Sequence, residues 1–92
     1  MGAGGKANHN TETIVSRNLK RTDNPNSKIQ RVNSRGILAQ ERWYDAQGHA
    51  IRNRDYSHGG DEKFPHDHAW VWHGEGGYRL KEHLEPDYEH YN

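Results

Sequence analysis

A shortage of large apolar side chains is what most limits the folds open to this chain. Hydrophobic residues make up 29 % of its 92 residues, while 28 % are charged. From Gly36 onward the plausible core is Ile37, Leu38, Trp43, Ile51, Phe64, Trp70, Val71, Trp72, Leu80 and Leu84. Small domains with so thin an interior commonly depend on a disulfide, a metal or a partner chain. The chain has no cysteine, which removes the disulfide and cysteine-ligated zinc. A bound metal, a protein partner or a homo-oligomer is therefore expected, unless three tryptophans suffice, each able to bury about 150–250 Å².

The apolar residues that are present favour strands. Residues 37–44 and 49–56 flank Asp45-Ala46-Gln47-Gly48, with Asp opening a type I turn and Gly at the position that prefers a left-handed backbone. A hairpin follows. Its return strand carries Arg52, Asn53, Arg54 and Asp55 on both faces, so pairing is expected over the first half only. After Pro65, Ala69-Trp70-Val71-Trp72 favours a pleated, half-buried surface, giving a third strand at 66–72. Strand alternation then puts His66, His68, Trp70 and Trp72 on one face, with the indoles anchoring the core and the imidazoles at its rim. Residues 58–63 and 74–77, rich in Gly and charge, read as loops. Residues 78–84 read as a last strand or short helix, and the acidic, tyrosine-bearing end as a frayed tail.

The N-terminal third differs in composition. Residues 1–35 hold seven basic and two acidic groups, whereas residues 36–92 hold six and eleven, so a net charge of zero hides a basic arm on an acidic body. Residues 1–33 are expected to be a disordered basic arm, with a transient helix around Ile14, Val15 and Leu19 or a short strand at 27–32. Residues 34–92 then form a single small domain, mainly β or small α+β, built on one antiparallel sheet. No apolar run is long enough to span a bilayer, so the sequence points to a soluble chain with no membrane association. Either a cytoplasmic location or secretion as an effector is compatible with it.

The chemistry concentrates between His58 and His73, where four of the eight histidines lie. On a strand His66-x-His68 aims both rings the same way, as two ligands of one zinc or other divalent metal require. A further ligand is sought among His58, Asp61 and His73. The bland alternative is a pair of polar edge residues capping the tryptophans. A catalytic version uses His66 and His68 as metal ligands or as an acid/base pair, with Asp55, Asp61 or Asp67 orienting an imidazole and Arg52 or Arg54 holding a phosphate of a nucleic acid.

Arg42-Trp43-Tyr44-Asp45-Ala46-Gln47-Gly48-His49 resembles one unit of the Tyr-Asp repeats of bacterial Rhs-type proteins, matching at Tyr44, Asp45 and Gly48. His49 stands where that family commonly has arginine. One copy follows no repeat array, so the β-shell of the family is not implied. The longer pattern adds Arg54-Asp55-Tyr56 and Phe64-Pro65-His66-Asp67-His68-Ala69-Trp70. Over about residues 40–72 it is similar to short C-terminal modules of phage-associated and polymorphic-toxin-like bacterial proteins. That resemblance implies a bacterial or phage origin and brings in an effector-type nuclease. Two functional expectations result: a noncatalytic binding module with a His/Trp-rich strand, and a metal- or histidine-dependent nuclease.

Overall fold

The computed structural model describes residues 10–15, 17–56 and 64–92. They form one sheet of β1 (Asn10–Val15), β2 (Ser27–Val32), β3 (Leu38–Tyr44), β4 (Ala50–Asp55), β5 (His66–His73) and β6 (Gly76–Arg79), adjacent in space in the order of the chain. Strands β1 and β2 run parallel, and every later pair is antiparallel. The domain is mainly β, as expected, and the sheet is mixed.

The β3–β4 hairpin turns where the sequence places it. The Asp45 carboxylate accepts the N–H groups of Gln47 and His49, each at 2.9 Å, and Gly48 takes φ +80°. A bulge beside Tyr44 then sets the register. Pairing continues to Gln40 opposite Asp55, beyond the half-length expected. The polar groups of β4 do not end the strand because each finds a partner on its own face.

The expectation of a disordered arm through residue 33 does not hold over its described part. β2 pairs with β3, and β1 adds to β2 as an edge strand instead of forming a helix. A parallel pair needs a crossover, and residues 17–26 provide its described part. They lie across one face, tied down by the Asp23 N–H to the Gly48 carbonyl and the Ala50 N–H to the Arg21 carbonyl, both 2.9 Å. Beneath them Ile29, Tyr44 and Ala50 form the core, with Ile14, Leu19 and Trp70 packed against it. The Tyr44 hydroxyl donates to the Lys20 carbonyl at 2.6 Å, and burial pushes its pKa up to about 12.

The opposite face is covered by residues 84–92, read from the sequence as a frayed tail. Trp43 is fully buried there, with the Tyr91 ring edge-on at 5.5 Å. The Arg54 guanidinium lies between Trp43 and Tyr88, 4.9 and 4.4 Å from the ring centres. Such cation–π layers let a chain poor in aliphatic residues bury arginine stems as interior material. Ile37 and Leu84, expected in the core, are 55 % and 36 % exposed.

Candidate metal centre

Strand register carries the site. Asn53 lies opposite His68 and Asp55 opposite His66, so the two histidines and the aspartate share the face that also holds Trp70 and Trp72. The expected alternation is present, but its depth is reversed: His66 and His68 are buried, while Trp70 and Trp72 are half-buried. Asp55 explains the reversal. Fully buried, its Oδ2 sits 3.4 Å from the Nε2 atoms of both His66 and His68. Its Oδ1 accepts from Gln40 Nε2 at 3.0 Å, and Gln40 Oε1 in turn accepts from Arg31 Nε at 2.9 Å. A chain of side chains across three strands thus fixes the carboxylate.

A third histidine arrives from beyond β6. Residues 80–84 return along β5 through the Leu80 N–H to the Ala69 carbonyl, 2.9 Å, and a reciprocal pair of 2.8 Å bonds between Leu84 and Asp67. This path lays the exposed His83 ring flat on His66, with centres 4.0 Å apart and planes 5° from parallel. One ring nitrogen from each of His66, His68 and His83 falls within 4.8 Å of the others. Sequence reasoning missed His83. It stands far from the His66 pair in sequence and in no recognisable spacing with it, and the backbone bonds at Leu80 and Leu84 bring it near.

A backbone partner fixes one hydrogen of His68. Its Nδ1 is 2.9 Å from the Leu80 carbonyl, which can only accept, so Nδ1 carries the hydrogen. Burial, reinforced by the nearby Arg79 charge, lowers the His68 pKa below its ordinary value. The Leu80 carbonyl and the Asp55 charge pull the other way, and Nε2 is the ring nitrogen turned toward the Asp55 carboxylate. Asp55 Oδ2 has both Nε2 atoms and the Arg79 guanidinium around it, and a divalent ion is one cation that such a carboxylate and two imidazoles accept. The spacing is informative. A tetrahedral zinc with bonds of about 2.0–2.1 Å holds its ligand atoms about 3.3–3.4 Å apart. Both His–Asp55 separations match that edge, the three histidine nitrogens lie within the wider limit of 4.8 Å of one another, and the Leu80 carbonyl is the kind of outer partner that orients a ligating imidazole.

The remaining expected site residues lie elsewhere. His73 has the opposite parity on β5 and is exposed, its ring centre 6.1 Å from that of Tyr78, outside the histidine group. His58 and Asp61 lie outside the described residues. Arg52 and Arg54 are on the other face, so they do not hold a phosphate beside the histidines. Arg54 donates from Nε and Nη2 to the two oxygens of Asp67 at 2.7 and 3.0 Å, and Arg52 Nε donates to the same carboxylate at 2.9 Å. Asp67 is thereby an arginine partner and orients no imidazole. Among the described residues, Arg79 is a cation beside the histidine cluster, its Nη1 3.7 Å from Asp55 Oδ2 and its side chain 42 % exposed.

Among the described residues, no helix is long and apolar enough to cross a membrane. No protein-family model matches this chain, and no curated protein or solved structure matches it either.

Proposed function

We propose that the protein is a divalent transition-metal-binding β module, with zinc the first candidate ion, and that its primary role is noncatalytic binding. The observation that carries this reading is the pair of 3.4 Å separations between one buried carboxylate oxygen and two histidine Nε2 atoms. Donor chemistry agrees, since imidazole nitrogen and carboxylate oxygen are a set that zinc accepts. His66, His68 and Asp55 supply three donors from rigid strands. His83 supplies a fourth from the segment that follows β6. An ion held by all four fastens residues 80–84 to β4 and β5, which is the staple a thin interior needs.

Zinc titrated into chelator-stripped protein tests the reading through the melting temperature. Binding at about one hundred times Kd adds about 2.7 kcal/mol, which corresponds to a rise of about 10–20 °C for a domain of this size. The His68→Ala variant should show little of that rise. An unchanged melting temperature in the wild type would remove the proposal.

A second reading, a toxin-like nuclease, draws support from the exposed Arg79 beside the cluster. A metal-bound water is a competent nucleophile near neutral pH, and an arginine can steady a phosphoryl oxygen. Incubating zinc-loaded protein with plasmid DNA and total RNA, with His68→Ala as control, separates the two readings. Cleavage lost in the variant favours the enzyme, and no cleavage by the wild type leaves the binding module.

A further inference from the structure

We propose that the metal centre takes a phosphate-type oxyanion as its ligand, held between the ion and the Arg79 guanidinium, with His83 as the ligand that yields its place. The inference rests on the metal reading above and adds the chemistry of what the site binds.

Asp55 is the shared reference point. Its buried Oδ2 lies 3.4 Å from each histidine Nε2 and 3.7 Å from Arg79 Nη1. An ion seated among the histidine nitrogens and the guanidinium therefore flank the same carboxylate edge, close enough for one small anion to touch both. A guanidinium has five N–H donors in a fixed fork, and the Asp55 contact engages only Nη1. Being 42 % exposed, the Arg79 side chain can be reached from solvent.

His83 is the replaceable ligand for a geometric reason. A ligating lone pair lies in the plane of its imidazole ring. The His83 ring is parallel to His66 and stacked on it, so those in-plane lone pairs run side by side instead of meeting at one point. It must swing out of the stack to reach an ion bound by His66, and its exposed position lets it do so. His68, by contrast, is locked by the Leu80 carbonyl, and Asp55 by Gln40. Two donors are held by neighbouring groups while the exposed His83 is exchangeable, as in a site that keeps a position for a ligand.

Charge selects the ligand class. A divalent ion with neutral imidazoles, one carboxylate and one arginine leaves the site with roughly two positive charges. A phosphate group carries close to two negative charges near neutral pH, whereas a carboxylate carries one. Two of its oxygens can bridge ion and guanidinium through charge-assisted contacts.

The test uses the full chain loaded with zinc, titrated with inorganic phosphate and followed by calorimetry. One-to-one binding that disappears when zinc is removed is expected. Arg79→Met should weaken phosphate binding at least about tenfold, the loss of a charge-assisted contact, while a separate titration shows zinc binding intact. His83→Ala should loosen zinc yet retain phosphate binding once zinc-saturated. The proposal is overturned if zinc-loaded protein ignores phosphate, if metal-free protein binds it equally well, or if Arg79→Met binds it like the wild type. Failure of zinc itself to bind, read in the phosphate-free titration, overturns the metal reading first. A parallel arm with a nucleoside monophosphate, whose phosphomonoester also carries close to two charges, distinguishes sources. Tighter binding than inorganic phosphate assigns the site to a phosphorylated organic ligand, and weaker binding assigns it to free phosphate.

Discussion

Replacing Asp67 by Asn is the most demanding perturbation of the fold, because it removes a charge and leaves its partners in place. Asp67 is fully buried and accepts from Arg54 Nε at 2.7 Å and Nη2 at 3.0 Å, from Arg52 Nε at 2.9 Å and from the Asp87 N–H at 3.1 Å. Arg54 is 1 % exposed, so its cation has no recourse to water once the carboxylate is gone. Breaking one side of such a buried pair costs about 3–5 kcal/mol. For a domain of this size each kcal/mol moves the melting temperature by about 4–8 °C, so a fall of about 15–30 °C is expected. The measurement is thermal unfolding with chelator present, which removes any contribution from the histidine face. The double variant Asp67→Leu/Arg54→Met, which removes the buried pair and leaves the partly exposed Arg52, should recover part of the loss. A melting temperature for Asp67→Asn within about 3 °C of the wild type would refute the reasoning.

Two further outcomes follow from the crossover and its anchor. Gly48→Ala adds a Cβ at φ +80° that collides with the Asp23 carbonyl oxygen, and it should cost about 2–4 kcal/mol in urea unfolding. Gly36→Ala has the same φ of +80° but open space, so it should cost about 1 kcal/mol, and equal losses would contradict the contact argument. For Tyr44 the buried neutral phenol has its pKa raised to about 12. A raised pKa means that this contribution is complete below the unfolded value of about 10 and is lost as pH rises through about 12. Urea midpoints measured from pH ~8 to ~12 should therefore fall less steeply for Tyr44→Phe than for the wild type, and parallel curves would exclude the contribution.

The β3–β4 hairpin was legible because its determinants are local: Asp45 and Gly48 define the turn, and neighbouring residues define the strands. β5 was legible through the Trp-Val-Trp alternation after Pro65. The short strand read at 27–32 is β2, whereas β1 was not read as a strand because its pairing is nonlocal and its apolar residues few. The contribution of Ile29 depends on a crossover that only the fold reveals. Counting aliphatic residues also misjudged the interior. Arg54 fills space between two aromatic rings, and Tyr88 and Tyr91 turn an acidic tail into a cover. The His66–His68 face could be read from alternation alone. Asp55 was one of three aspartates read as an imidazole partner, and the β4–β5 register is what selects it. His83 and Arg79 could not be read, because they arrive through the backbone bonds at Leu80 and Leu84 and the strand that follows the Gly74 turn.

The most direct measurement is long-range ¹H–¹⁵N NMR of the histidine side chains during addition of one equivalent of zinc to chelator-stripped protein. Nε2 of His66 and of His68 should move to metal-bound shifts, His68 Nδ1 should keep its hydrogen against the Leu80 carbonyl, and a nitrogen of His83 should follow. His66 and His68 resonances that stay where they were in the stripped protein, with zinc in excess, would contradict the proposed metal centre.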